Sequence, residues 1–228
     1  MLLTGNIGLI PLLLAPRSFS APLTQRLISC LFRVFLAGAE RCGLMRLDLS
    51  ALDALNACDR SLLVANHPSM IDVFLIVSRV HRTVCLMKAS IGTNVLFGVG
   101  AYLAGYVSNQ RTETMVRRAA RMLVPGQHLL AFPEGTRTIR QPVNDIKPGA
   151  ALIAKLSHAP LQPIIIVTNS PYLSKGWPLF RPPQFPLLYR ASLGPKFEST
   201  GPSSGTTRKL QAYFESNIAS SVDPGLRV

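Results

Sequence analysis

Acidic residues are scarce: 11 Asp and Glu stand against 24 Lys and Arg in 228 residues, a formal net charge of +13 with the four His neutral. Charge of either sign is scarce too, at 15% against about 25% in ordinary soluble domains. Such a charge seeks nucleic acid, an anionic membrane surface, phosphorylated substrates or an acidic carrier protein, and basic and apolar together favours the membrane surface over nucleic acid. Cysteine is thin, with Cys30, Cys42, Cys58 and Cys85 in no metal-ligand or CxxC spacing. That excludes a disulfide framework and reads as a reduced, cytosol-facing protein whose thiols are small buried hydrophobes. Long apolar runs are missing. Gly8 to Ala15 is broken by Pro11, and Leu27 to Ala39 holds Ser29 and Arg33, so neither approaches the about 20 residues of a spanning helix. No Lys or Arg precedes the first apolar run, which argues against a signal peptide. No repeat period is found, and 48% hydrophobic content excludes disorder.

What is present is one α/β domain behind a helical leader. From Pro22 onward Leu23, Leu27, Cys30, Leu31, Val34 and Phe35 recur at helical steps, with Arg26 and Arg33 on another face. Residues 1–45 thus read as an amphipathic segment whose apolar face either packs on the core or lies in the membrane interface. Residues 46–228 alternate: strands Ser61–Asn66, Thr83–Lys88, His128–Phe132, Ile164–Thr168 and Leu187–Leu193, helices Ser69–Arg79, Thr112–Leu123, Gly149–Ser157 and Thr206–Ile218. The pattern predicts a sandwich of helices around a largely parallel β-sheet, with chemistry in the loops at strand ends. Helix Thr112–Leu123 carries the basic stripe Arg117, Arg118 and Arg121, which is either a solvated face or a surface for acidic partners.

Two strand ends carry the chemistry. Strand Ser61–Asn66 runs into His67, with Asp72 five positions on. Within one helix that spacing would part the two side chains. Pro68 suits a first helical position, which leaves His67 before the helix while Asp72 leans back toward it. A carboxylate on one ring nitrogen fixes the tautomer and frees the other as a base, with no protein nucleophile. Strand His128–Phe132 runs into Pro133-Glu134-Gly135-Thr136-Arg137, an acid, a glycine turn and an arginine. This reads either as a clamp for anions and hydroxyls or as a structural Glu134–Arg137 ion pair.

These blocks resemble the first and third signatures of the glycerolipid acyltransferases, the lysophosphatidic acid acyltransferase family. Gly105-Tyr106-Val107-Ser108-Asn109-Gln110-Arg111 is similar to the second, and Pro160-Leu161-Gln162-Pro163 onward to the fourth; the likeness spans residues 60 to 195. The resemblance implies transfer of a fatty acyl chain from a thioester, on coenzyme A or acyl carrier protein, to a lyso-lipid hydroxyl. The favoured acceptor is 1-acyl-glycerol 3-phosphate. It makes His67 the base and Asp72 its orienting acid, with backbone amides near the helix start holding the oxyanion. Lys88, Arg111 and Arg137 would bind the acceptor phosphate, Glu134 its hydroxyls, and Gly135 and Thr136 would complete that site. It implies no metal or other cofactor, and a place on the cytoplasmic face of the inner membrane, peripheral or monotopic. Asn109-Gln110 and the residues after Lys88 depart from the usual pattern. Relatives that acylate lyso-ornithine or polyene-type lipids, or that only bind lipid, are the alternatives.

Competing patterns fail. Gly201-Pro202-Ser203-Ser204-Gly205 matches a hydrolase elbow, but no His follows Ser203. Neither nucleotide-binding glycine motif is complete. His81, His128 and His158 lack partners at metal spacing and read as structural. The basic residues are not interleaved with stacking aromatics, so no nucleic-acid partner is expected.

Overall fold

A computed structural model describes residues 14–89, 98–108, 111–178, 180–199 and 201–221. The first apolar run up to residue 13, and the departures at 90–91 and Asn109-Gln110, lie outside them. The chain forms α1 (Arg17–Arg41), β1 (Met45–Asp48), a 3₁₀ segment (Ser50–Ala57), β2 (Leu62–Ala65), α2 (Asp72–Arg79), β3 (Thr83–Met87), α3 (Gly98–Leu103) and β4 (Val107–Ser108). There follow α4 (Thr112–Met122), β5 (His128–Ala131), α5 (Gly149–Ser157), β6 (Leu161–Thr168), β7 (Leu187–Leu193) and α6 (Ser203–Ser221). The strands make one sheet in the order β1-β7-β6-β2-β5-β3-β4, parallel except where β6 meets β7.

Because side chains alternate across a strand, β2 serves two cores at once. Leu62 and Val64 pack with Ala119 of α4, Ala150 and Ile153 of α5 and Phe214 of α6. Leu63 and Ala65 point the other way, into a cluster with Leu36 of α1 and Leu75 and Ile76 of α2. Strands buried on both faces read as unbroken apolar runs, which is why β2, β5 and β6 are visible in the sequence.

Several boundaries differ from expectation. β6 begins at Leu161, three residues before the expected start, and includes Pro163. A proline argues against a central strand because it lacks a donor. Here the Gln162 side chain supplies the missing bond, donating from Nε2 to the Gly194 carbonyl at 2.6 Å. β1 is a short edge strand that composition does not flag, paired to β7. α1 starts at Arg17 and tolerates Pro22 inside it.

The orientation of α1 is the larger surprise. Its buried residues are Ser20, Thr24, Gln25, Ser29 and Leu36, while Phe19, Leu27, Val34 and Phe35 are exposed. The polar face docks through specific bonds: Gln25 Nε2 donates to the Ala104 carbonyl at 2.9 Å, and Arg33 donates to the Ser78 carbonyl from Nε and Nη2 at 3.2 and 3.0 Å. Phe32 stacks on Phe74 of α2 at 4.2 Å. Most of the expected apolar stripe therefore faces outward. Among the described residues no helix is long and apolar enough to cross a membrane. Of the cysteines only Cys85 is buried, its thiol pushed up to about 12 by burial; Cys30 and Cys42 are exposed, against expectation.

Candidate active site

β2 ends at Ala65, and the side chain of Asn66 continues the ladder that the main chain abandons. Its Nδ2 donates to the Ile166 carbonyl at 2.8 Å, and its Oδ1 accepts the Ile166 amide at 2.7 Å. The backbone is thereby free to turn out of the sheet at His67. The helix starts later than Pro68 suggests: Ser69 to Ile71 form a turn, and Asp72 is the first residue of α2. From there its carboxylate reaches back. Oδ2 lies 2.8 Å from His67 Nδ1 and accepts the Ser69 amide at 2.8 Å, so both anchors of the turn meet one oxygen.

Asp72 is fully buried, and burial pushes its pKa upward. The hydrogen bond and charge of His67 and the Ser69 amide pull it back, while the charge of Glu134 adds to the rise. The His67 side chain is 18% exposed, so the dyad has one dry end and one wet end. A carboxylate only accepts, so Nδ1 carries the proton and Nε2 holds the free lone pair. Ser69 is itself fixed: its Oγ donates to the Tyr172 carbonyl at 2.9 Å and accepts from the Tyr189 hydroxyl at 3.3 Å. The chain Tyr189, Ser69, Asp72, His67 joins β7 to the dyad.

Glu134 departs from expectation. It is 2% exposed and spends its carboxylate inside the protein. Oε1 accepts the His67 amide and the Thr138 hydroxyl, both at 2.8 Å, and Oε2 accepts the Asn144 amide at 2.9 Å. The Thr138 amide in turn donates to the His67 carbonyl at 2.7 Å. The two sequence blocks thus form one unit: the His67 backbone is held on both sides by the Glu134 loop, and its ring stacks on Phe132 at 4.0 Å. Buried and accepting three internal hydrogen bonds, the carboxylate serves the fold of the His67 turn, where the resemblance implies a contact to acceptor hydroxyls. It makes no ion pair with Arg137.

Arg137 points to the loop after β6, donating from Nη1 to the carbonyls of Leu173 and Ser174 at 2.8 and 3.0 Å. The expected three-cation cluster is therefore divided. Lys88 directly follows β3 and Arg111 precedes α4 at the end of β4; both are exposed and neither forms an ion pair among the described residues. The register aligns Val64 with Ala131, Cys85 with Leu130 and Leu86 with Val107, so His67, Glu134, Lys88 and Arg111 all lie past the carboxyl ends of neighbouring parallel strands. At about 4.8 Å per strand, Lys88 follows a strand about 10 Å from the one that His67 follows, and Arg111 follows one about 14 Å away. Gly135 forms an exposed turn with φ of 72°, where a side chain would be strained and would meet Lys147 Nζ at 2.7 Å. Thr136 beside it is half-buried.

Three of the amides near the helix start, where oxyanion donors are expected, bond within the protein. The amides of Ser69, Met70 and Asp72 bond to the Asp72 carboxylate and to the carbonyls of Leu173 and Ser69. Asn144 and Tyr189 are not legible as site residues in the sequence, because they reach Glu134 and Ser69 from positions 10 and 120 residues away. Ser69 lies inside the His67–Asp72 block, but its bonds to Tyr172 and Tyr189 depend on the fold.

Comparison with known proteins places the chain in a family. The family model for the acyltransferases matches residues 46–167. No curated protein matches significantly. Among solved structures the chain is similar to the crystal structure of the 1-acyl-sn-glycerophosphate acyltransferase PlsC from Thermotoga maritima, at 17% identity and a TM-score of 0.56, over 90% of this chain and 97% of that one. That likeness is one of fold, an α/β domain on a mostly parallel seven-stranded sheet. With more than half of its length matched by the family model, the chain belongs to the acyltransferase family.

Proposed function

We propose that the protein transfers a fatty acyl chain from a thioester, on coenzyme A or acyl carrier protein, to the free hydroxyl of a lyso-lipid, with 1-acyl-glycerol 3-phosphate the best-fitting acceptor. The observation that carries this reading is the half-open dyad, with Nδ1 of a partly exposed His67 ring held by buried Asp72 at 2.8 Å. Nε2 takes the proton of the acceptor hydroxyl as its oxygen attacks the thioester carbonyl carbon. The new ester C–O bond forms and the C–S bond breaks. The imidazolium, stabilised by the Asp72 carboxylate, returns its proton to the leaving thiolate. Glu134 is a positioning group for the His67 backbone. Lys88 and Arg111 bind the acceptor phosphate, which suits two cations without ion-pair partners. Arg137 stiffens the loop over the site, and Gly135 and Thr136 form its rim.

The same reading puts the protein on the cytoplasmic leaflet. α1 turns Phe19, Leu27, Val34 and Phe35 outward beside Arg17 and Arg26, a pattern that fits the acyl–headgroup boundary of an anionic membrane. Two assays test the proposal. Mass spectrometry of the purified protein with acyl thioesters and a panel of lyso-lipids should show an ester product with a phosphate-bearing acceptor. A best acceptor without an anionic group would remove the phosphate assignment. Leu27→Ser with Val34→Ser should weaken sedimentation with anionic vesicles by about a hundredfold or more, because each buried apolar side chain contributes ~1.5–3 kcal/mol and ~1.4 kcal/mol is a factor of ten. Unchanged sedimentation would remove α1 as the membrane contact.

A further inference from the structure

The helices on the far side of the sheet from α1 display a second surface. α4 and α5 meet at the active-site edge, where Gly149 packs near Met115, and a groove opens between them as they run away from it. Its floor is apolar, made by Val116, Ala120, Leu152 and Leu156, and its rim carries Arg121 together with Arg117, whose Nη2 lies 3.4 Å from the exposed Glu113 carboxylate. Leu156 is 53% exposed. Helices α4, α5 and α6 together hold six cations, Arg117, Arg118, Arg121, Lys155, Arg208 and Lys209, against two carboxylates, Glu113 and Glu215. An apolar floor inside a basic rim is complementary to an amphipathic helix with an acidic border.

A lipid surface would also supply negative charge, but position argues against it. α4 and α5 cover the face of the sheet that bears Leu62 and Val64, whereas α1 covers the face that bears Leu63 and Ala65. With the exposed apolar face of α1 on a membrane, the groove looks away from that membrane into solution. Its upper end, at Thr112 and Glu113, adjoins Arg111 and the edge that holds His67. A partner seated there is soluble, acidic, and within reach of the site through a flexible arm.

We propose that the α4–α5 groove docks an acidic helical protein that carries the acyl chain as a thioester. This rests on the acyltransferase reading above. It deepens that reading by assigning the donor a surface of its own. Docking through this groove raises the local concentration of the thioester and leaves coenzyme A thioesters, which have no such helix, unaffected.

The test uses the full chain with one acyl group presented on acyl carrier protein or on coenzyme A. The double variant Arg117→Gln with Arg121→Glu, and separately Leu156→Gln, should each lower kcat/KM for the carrier-borne donor by about tenfold or more while changing the coenzyme A donor by less than about twofold. Fluorescence anisotropy of labelled carrier protein scores docking without turnover, and the same variants should weaken it equally. Equal loss with both donors, or no loss with the carrier, overturns the proposal. A wild-type chain that uses coenzyme A thioesters and shows no carrier binding overturns it and leaves the acyltransferase reading intact. Carrier binding that the variants abolish, in a chain that transfers from neither donor, keeps the groove and removes the acyl-transfer reading. Variants that lose anionic vesicles instead of carrier make the groove a membrane contact and also overturn the proposal.

Discussion

The carboxyl edge of the sheet has two halves built on opposite plans. At the ends of β2 and β5 the acids are spent inside the protein: Asp72 and Glu134 are buried, and between them they accept five hydrogen bonds that hold His67 and its turn. At the ends of β3 and β4, Lys88 and Arg111 stand exposed without ion-pair partners among the described residues. Proton transfer demands a fixed geometry within a few tenths of an ångström, which a packed and hydrogen-bonded shell provides. Binding an anion requires charge that stays uncommitted until the ligand arrives. On the proposed reading, the same edge combines a rigid chemical half with an open binding half. Substitutions in the first should act on turnover or stability, and in the second on acceptor affinity.

The largest effect is expected at His67. His67→Ala should lower kcat by about 10²- to 10⁴-fold or more while the circular dichroism spectrum and melting temperature stay near wild type, since the ring is an acid–base group and its backbone bonds remain. Near wild-type turnover in a folded variant would show that another group is the base.

Glu134 comes next and separates the two halves most directly. Glu134→Ala orphans three donors, the amides of His67 and Asn144 and the Thr138 hydroxyl. At ~1–3 kcal/mol for each unsatisfied donor, the loss should be ~3 kcal/mol or more, or about 6–12 °C in melting temperature for a chain of this size. Glu134→Gln should fall between the two. An acceptor KM that rises with an unchanged melting temperature would return Glu134 to the binding half.

Arg111→Ala should cost ~2 kcal/mol of acceptor binding, about 30-fold in KM for a phosphate-bearing acceptor, with little change in kcat or in KM for the thioester. Arg111→Lys should recover only part, because the forked geometry is lost with the guanidinium. An equal fall in kcat would place Arg111 in the chemical half.

The rigid half is also the more legible one. His67, Asp72 and the Glu134 block are visible because short-range spacing at strand ends governs them, and the resemblance rests on the same residues. What escapes is whatever depends on distance in the fold. Asn144 and Tyr189 reach the site from positions 10 and 120 residues away from Glu134 and Ser69. Glu134 shows a related limit: an acid beside an arginine looks like a ligand clamp, and its burial and three internal donors are not visible in the sequence. α1 shows the same limit at the level of the fold. Its periodicity is plain, but periodicity does not tell which face packs, and here the small polar face does. β6 reads short because Pro163 has no donor, and the remedy from Gln162 exists only once β7 is alongside.

The smallest effect tests the thermodynamic side of the rigid half. Burial raises the pKa of Asp72 above its ordinary 3.8, more than His67 and the Ser69 amide lower it. Between that ordinary value and the raised one the folded state binds the proton more tightly than the unfolded state, so this group's contribution to stability falls as pH rises through the window. Above it, ionised Asp72 is a net cost to the fold, retained because the carboxylate orients His67. Asp72→Asn keeps the size, leaves an oxygen to accept the Ser69 amide and removes the buried charge. At pH 7 it should melt at or above wild type, by roughly 1 kcal/mol or a few degrees, while turnover falls because the amide no longer stabilises the imidazolium. The gain should shrink as pH is lowered toward about 4, the ordinary carboxylate range, where wild-type Asp72 takes up its proton and the two proteins become alike. A gain that grows on acidification, or a clear loss at neutral pH, would mean that the interaction with His67 outweighs burial, and that the rigid half is stabilised by its charge rather than in spite of it.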